Sequence, residues 1–200
     1  MNTKFKKGDV VYLIGNTHYT EMISGSQNNE SMKLECSAVS MRGTVCDEIK
    51  SLYETSFPPN EWRSFSDLYH DFGDNCELLA FYDNRTFIGS AIMLTSGDIT
   101  HILYLAVKPE LRDRGYGSMI LEHIRMVYRE QRIIADLEDP ENDSPNQSQR
   151  EKRIDFYRKN GYSPTEIRYK WENEHYLIMT NGGDVTWEEF RRFWRYFYPS

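Results

Sequence analysis

The sequence predicts a mixed α/β domain built around a single sheet. Stretches with the apolar spacing of helices alternate with short apolar runs typical of strands. The run at residues 99–107 is apolar on both faces, which indicates a central buried strand. The length of 200 residues, with 39% hydrophobic and 28% charged residues, fits one globular domain with a small appendage.

The first third of the chain divides into a predicted extension and the start of the domain. Residues 24–31 are polar and turn-rich, which predicts a linker. We therefore interpret residues 1–31 as an extension of unknown role, with a short strand at 10–14, and residues 32–200 as the main domain. The next predicted elements are a strand at 32–40, a helix at 45–57 that Pro58 and Pro59 end, and a helix at 65–72.

The remaining elements follow from the same patterns. Alternation on the central strand predicts that Ile99, Leu103, Leu105 and Val107 share one face. The predicted elements are a hairpin of 77–82 and 86–95 turning at Asp83-Asn84, the strand 99–107, a helix at 118–131, a strand at 132–138, a loop at 139–149, a helix at 150–160 ended by Gly161, strands at 166–171 and 175–180, and a last helix opened by a capping box of Thr186 and Glu189.

The most informative stretch runs from the central strand through residues 112–118 into a helix. Helix N-termini carry unpaired N–H groups and the positive end of a dipole, and glycine lets an anion approach the backbone. Gly115 and Gly117, flanked by Arg112 and Arg114, therefore predict a phosphate site. The lysine of a P-loop and the third glycine of a dinucleotide fingerprint are both missing, which disfavours nucleoside triphosphates and NAD.

Charge and cysteine usage limit the classes of partner. A net charge of -7 with a pI of about 5.3 disfavours a nucleic-acid partner. Cys36, Cys46 and Cys76 form no C-x-x-C pair, so we expect reduced thiols in a cytoplasmic protein. No ligand pattern predicts a metal, and no apolar run has the roughly 18 residues of a membrane span.

The motifs together resemble the GNAT superfamily of N-acetyltransferases, in its bacterial form. Arg112-x-x-Gly115-x-Gly117, preceded by Val107-x-Pro109, is similar to the acetyl-CoA loop of that superfamily. Residues 156–162, Phe-Tyr-Arg-Lys-Asn-Gly-Tyr, are similar to its second motif, and a helix, a strand and a helix separate the two as expected. Residues 57–63 resemble a further stretch found in many bacterial members.

The resemblance implies a fold and a cofactor site. It implies a mostly antiparallel sheet with one splayed strand pair, and helices on both faces. Acetyl-CoA would serve as co-substrate, with its pantetheine arm in the cleft of the splayed strands and no metal. The residues implied to bind it are Leu105, Ala106 and Val107 for the arm, and Arg112, Asp113, Arg114, Gly115, Tyr116, Gly117 and Ser118 for the pyrophosphate.

The resemblance and the strand pattern together name the catalytic candidates. Tyr157 matches the tyrosine that many members use as general acid toward the CoA sulfur. Alternation places Asp136 and Glu138 on one face of their strand, so Glu138 is the candidate base and Asp136 a substrate-binding residue. The alternative for Glu138 is a structural role, as the cap of a loop or the partner of Arg150 or Arg153. Arg150 stands where many members carry asparagine, and two roles stay open for it: a CoA phosphate contact, or a salt bridge with Glu138.

Two functions remain open at this point. The first is an N-acetyltransferase acting on a small-molecule or protein amine. The second is a non-catalytic acetyl-CoA sensor or interaction module on the same fold. On the last helix, Trp187, Phe190, Trp194 and Phe197 predict packing against the sheet or an aromatic substrate platform. The arginines at 191, 192 and 195 predict a solvated face or a homodimer contact.

Overall fold

The computed structural model describes residues 18–20, 34–57, 63–141, 146–171 and 174–199, the first group by its backbone only. Within these residues an eight-stranded sheet carries five α-helices. The predicted strand at 10–14, the linker at 24–31, residues 58–62 of the stretch at 57–63 (with both prolines) and residues 142–145 of the predicted loop lie outside them. The elements are β1 (His18–Thr20), β2 (Leu34–Val39), α1 (Asp47–Ser56), α2 (Phe65–Phe72), β3 (Cys76–Asp83), β4 (Thr86–Ser96), β5 (Ile99–Val107), α3 (Tyr116–Val127), β6 (Arg132–Glu138), α4 (Gln147–Lys159), β7 (Ser163–Trp171), β8 (Glu174–Asn181) and α5 (Trp187–Phe197).

The strand order is β1-β2-β3-β4-β5-β6-β8-β7, and every neighbouring pair except β5–β6 is antiparallel. The parallel pair is the one that a long crossover must join, and α3 provides that crossover. This arrangement confirms the predicted mixed α/β class. Strand β1 comes from the segment interpreted as an extension and pairs with β2 at the sheet edge.

Two cores lie on opposite faces of the sheet. Helices α3 and α4 cover one face, where Ile120, Ile124 and Ile154 are buried. Helices α1, α2 and α5 cover the other, where Ile49 and Leu68 are buried. Helices therefore flank both faces, as predicted, and burial of their apolar stripes contributes most of the stabilisation.

The boundaries differ from the sequence predictions where the local pattern is weak. Helix α4 begins at Gln147, inside the predicted loop. The sequence prediction missed its first turn because that turn is polar and shows no apolar period. Strand β7 begins at Ser163, three residues early. The β3–β4 turn is centred on Asn84 and Arg85, which adopt φ of 47° and 66°, one residue later than predicted. The capping box of Thr186 and Glu189 is present as predicted.

A β-bulge changes the faces of the central strand. The β4–β5 register shifts so that Ile92 faces Tyr104 while Met93 faces Ile102, which leaves Leu103 as the extra residue. Leu103 and Tyr104 consequently pack on the same side of the sheet. The prediction from strict alternation is therefore wrong beyond Leu103. A bulge inserts one residue, so the side chains after it lie on the opposite faces of the sheet from those predicted.

The cysteines are free thiols. Cys36 and Cys76 are buried and Cys46 is exposed. Burial raises the pKa of the Cys36 thiol well above its usual value and that of Cys76 to about 12, which makes both poor nucleophiles. Within the residues described, no helix is long and apolar enough to cross a membrane.

His123 makes the fold sensitive to acid. It is 1% exposed on α3, packs edge-on against Phe81, and neither ring nitrogen finds a partner among the described residues. Burial lowers the pKa of His123 to about 4. The pKa of His123 is lower in the folded state than in the unfolded state. The contribution of neutral His123 to the free energy of unfolding is therefore fully present above the unfolded-state pKa, and it is lost as the pH falls towards the folded-state pKa.

We expect this loss to be measurable by urea unfolding. Protonation of His123 should lower the free energy of unfolding by roughly 2.5 kcal/mol between about pH 7 and about pH 4.5. In His123→Met the fall in the free energy of unfolding over the same pH range should be smaller by about that amount, because the methionine side chain binds no proton. An equal loss in both proteins would contradict this account.

Candidate active site

A cleft opens where the two parallel strands separate. Strands β5 and β6 pair from Ile99 with Arg132 to Ile102 with Ala135, and the ladder ends there. Both strands continue, β5 to Val107 and β6 to Glu138. The backbone between them is therefore available to a third, extended group, as the family resemblance implied.

The separation has a physical cause in the outer neighbours of the pair. Strand β5 stays paired with β4 as far as Val107, and β6 stays paired with β8 as far as Glu138. Gly89 permits the first of these, since a Cβ there would lie 2.3 Å from the Ala106 carbonyl oxygen. Each strand follows its outer neighbour, and the inner ladder opens.

The loop after β5 leads into the N-terminus of α3 through left-handed backbone. A single 3-10 turn, Pro109–Leu111, leads to Asp113 with φ of 60° and then to Gly115 with φ of 90° as N-cap of α3. In the described part of the chain no side chain caps this helix, and such an N-terminus is suited to an anion. Arg112 donates from Nε to the Val107 carbonyl at 3.1 Å, which ties the loop to the strand end.

Gly117 also meets a packing requirement. A Cβ at this position would lie 3.0 Å from Cζ of Phe156. The missing side chain thus allows α3 to pack closely against α4.

A cavity of about 890 Å³ lies beside the cleft, on the face covered by α1, α2 and α5. Its wall is mostly aromatic, with two carboxylates, Asp136 and Glu138, at the β6 side. The aromatic members are Phe57, Phe72, Tyr104, Tyr169, Trp171, Tyr176, Trp187, Phe190, Trp194 and Tyr198. Three of the four aromatic residues predicted on the last helix therefore line a cavity, while Phe197 packs against Phe72 and Phe193.

Asp136 is held by two neighbours that sequence reasoning missed. His101 Nε2 contacts one carboxylate oxygen and the Tyr169 hydroxyl donates to the other. Burial alone would raise the pKa of Asp136, but these contacts outweigh burial and hold the pKa below its usual value. The carboxylate is therefore ionised at neutral pH, with 22% of the side chain exposed.

His101 lies inside the sheet beside Asp136. Its side chain is fully buried, and Nδ1 has no hydrogen-bond partner in the described part of the chain. The ring packs edge-on against Phe193 and Trp194 of α5, which holds Nε2 toward Asp136.

Glu138 forms a salt-bridge network with α4. Its Oε2 lies 3.0 Å from Nη1 of Arg153, and its Oε1 lies 3.6 Å from Nη2 of Arg150. Asn146 donates to Oε1 at 3.5 Å. Glu138 thus faces the cavity in a fixed orientation, with 15% of its side chain exposed.

Arg150 takes the second of the two roles left open for it. Its side chain is 3% exposed, so it lies inside the protein. It donates to Glu174 Oε2 at 2.8 Å, to Asn146 Oδ1 at 2.8 Å and to the Asp139 carbonyl at 3.3 Å. The guanidinium thereby joins the end of β6, the following loop, α4 and β8.

Tyr157 lies on the opposite face of the sheet from the cavity. It is 5% exposed, within the core under α3 and α4, with its ring edge-on to Phe156 and Tyr162. Burial raises the pKa of Tyr157 well above its usual value, the nearby charge of Arg153 lowers it, and that of Asp136 raises it. A hydroxyl that keeps its proton suits an acid rather than a base.

The residues that sequence reasoning missed carry weak signals. His101 is a lone ionisable residue inside an otherwise apolar strand, and its register opposite Ile134 places it diagonally across from Asp136. Tyr169 lies on β7, which β8 separates from β6, so its contact with Asp136 depends on tertiary packing that local patterns do not reveal. The salt bridge of Arg153 with Glu138 is one of the alternatives that the sequence offered. The structure brings Asp136 and Glu138 to one cavity, and leaves Tyr157 on the other side of the open ladder.

Comparisons with known proteins agree with this geometry. Residues 74–164 match the family model described as "Acetyltransferase (GNAT) domain", which spans both motifs. No curated protein sequence matches the chain.

Solved structures of the GNAT family share the fold. A GNAT-family protein from Bacteroides thetaiotaomicron is 24% identical, with a TM-score of 0.61, covering 74% of this chain and 86% of that one. An acetyltransferase from Elizabethkingia anophelis with acetyl-CoA bound is 15% identical, with a TM-score of 0.52, covering 74% and 97%. An aminoglycoside 6'-N-acetyltransferase complexed with coenzyme A is 15% identical, with a TM-score of 0.57, covering 73% and 95%.

The two arginines that contact Glu138 should differ in their effect on stability. Arg150→Met removes a buried guanidinium and the hydrogen bonds that it donates to Glu174, Asn146 and the Asp139 carbonyl, so we expect the free energy of unfolding in urea to fall by about 3 kcal/mol. Arg153 has 48% of its side chain exposed, and Arg153→Met should cost less than about 1 kcal/mol. Equal losses in the two variants would show that the contacts of Arg150 contribute no more to stability than those of Arg153.

Proposed function

We propose that this chain transfers the acetyl group of acetyl-CoA to a primary amine by direct attack, in keeping with the match of residues 74–164 to the family model of a GNAT acetyltransferase domain. The observation that carries the proposal is the open ladder between β5 and β6. It lies between an uncapped helix N-terminus suited to a pyrophosphate and a cavity that presents two carboxylates.

Acetyl-CoA fits the features of the cleft. Backbone N–H groups of residues 112–118 would bind the pyrophosphate, with Arg112 and Arg114 adding positive charge. The backbone of Leu105, Ala106 and Val107, which has no partner in β6, would pair with the pantetheine arm. The thioester would then lie at the opening between the two faces of the sheet, with reach to both catalytic candidates.

The chemistry requires an acid and a base on opposite sides of the thioester. The amine nitrogen attacks the carbonyl carbon, a C–N bond forms, the C–S bond breaks, and the thiolate leaves. A backbone N–H near Val107 would polarise the carbonyl oxygen. Tyr157 donates its proton to the departing sulfur and regains one from solvent.

Glu138 would accept the proton of the amine, directly or through a water molecule. Its salt bridges with Arg150 and Arg153 fix the carboxylate toward the cavity. Asp136 would bind the ammonium form of the acceptor before transfer, because it is ionised and faces the same space. Acid, base and binding carboxylate thus act from fixed secondary-structure elements.

Gly115→Val should abolish acetyl-CoA binding, measured by calorimetry on the folded variant. A side chain at a φ of 90° distorts the loop and occupies the approach to the helix N-terminus. Gly97→Val is the control, since Gly97 also has a positive φ, of 61°, but lies in open space in the β4–β5 turn. Wild-type affinity in the folded Gly115 variant would rule out this loop as the cofactor site.

Variants of the acid and of the base should differ in how kcat depends on pH. Tyr157→Phe should lower kcat by about 10² to 10⁴ at every pH, because only the leaving group is affected. Glu138→Gln should lower kcat similarly near neutral pH and recover as the pH rises, since solvent then deprotonates the amine. Both variants should keep the wild-type affinity for acetyl-CoA. Wild-type turnover of either variant would remove that residue from the mechanism.

A thiol-release assay over a panel of amines tests the proposal as a whole. Release of CoA should depend on an added amine, and the acetylated amine should appear in equal amount by mass spectrometry. Saturable binding of acetyl-CoA without turnover of any amine would instead favour a non-catalytic sensor on the same fold.

A further inference from the structure

We infer that the acceptor is a small arylalkylamine, a primary amine joined by a short chain to a planar aromatic body. This inference rests on the proposed function and names the substrate class of the same site. It follows from three features of the cavity: the aromatic character of its wall, the position of its carboxylates, and the pairing of its charges.

The wall provides aromatic surface from several elements at once. Tyr104 comes from β5, Tyr169 and Trp171 from β7, and Trp187 and Trp194 from α5. Trp171 and Trp187 remain 46% and 42% exposed, which is unusual for such large apolar side chains. A planar ligand would remove this surface from water and stack on it.

Both carboxylates that line the cavity lie on β6. Glu138 is paired with Arg153, and Arg63 is paired with Asp71, so these cations are already neutralised. Asp136 is held in place by His101 and Tyr169, is ionised, and faces the cavity. A carboxylate in this position can pair with one ammonium group of a ligand.

This pattern disfavours the other common amine classes. A polyamine needs several separated carboxylates, and among the described residues the cavity offers two, both on β6. An aminoglycoside needs many polar partners for its hydroxyl groups, whereas ten of the lining residues are aromatic. A volume of about 890 Å³ is ample for one small molecule.

The first test compares matched ligands. We expect 2-phenylethylamine to bind the full chain by calorimetry in the presence of CoA, and to be acetylated in the thiol-release assay. Putrescine, a diamine of similar length without a ring, should bind at least tenfold more weakly. Equal or tighter binding of putrescine would overturn the inference, as would an absence of phenylethylamine binding.

Two variants of α5 test where the ring lies. Trp187→Ala should raise KM for 2-phenylethylamine about five- to tenfold and leave KM for acetyl-CoA unchanged. Tyr196→Ala is the matched control, because Tyr196 is 61% exposed on the same helix and lies outside the cavity. Equal effects in the two variants would contradict the assigned position of the ring.

Different experimental results would overturn this inference and the proposed function. Turnover of putrescine without binding of phenylethylamine would overturn the substrate class and leave the acetyl transfer intact. Binding of phenylethylamine without any turnover would support the cavity assignment and overturn the catalytic proposal.

Discussion

The structure of the site depends on the early end of one hydrogen-bond ladder. Beyond Ile102 and Ala135, β5 follows β4 and β6 follows β8, because each outer pairing is longer than the inner one. A buried strand with unpaired backbone groups is costly unless another group satisfies them. The pantetheine arm of the proposed cofactor would satisfy such groups of β5 at the opening, which lies between the two faces of the sheet.

Elements on both faces then take their positions relative to this opening. On one face α3 places an uncapped N-terminus at the end of β5, and α4 places Tyr157 under the same region. On the other, β6 presents Asp136 and Glu138 to an aromatic cavity. Arg150 connects the two sides, since its buried guanidinium contacts Glu138 from within α4 and reaches β8 through Glu174.

Much of the fold follows from local patterns, and much of the site does not. The helices and the capping box at Thr186 are confirmed because their period and caps lie within a few neighbouring residues. The alternation of apolar residues did not predict the bulge at Leu103, since the bulge depends on the register of β5 against β4. The β6 pattern correctly placed Asp136 and Glu138 on one face, whereas their partners His101 and Arg153 come from distant elements. The anion site at residues 112–118 could be predicted because its glycines and arginines lie next to one another in the sequence.

A crystal structure of the chain with acetyl-CoA bound tests the central claim most directly. The account predicts the pyrophosphate at the N-terminus of α3 and the pantetheine arm along residues 105–107. It also predicts the thioester at the opening between β5 and β6, with Tyr157 near the sulfur and Glu138 on the side of the cavity. A cofactor bound away from the opening, or a ladder between β5 and β6 that stays closed along its whole length, would contradict it.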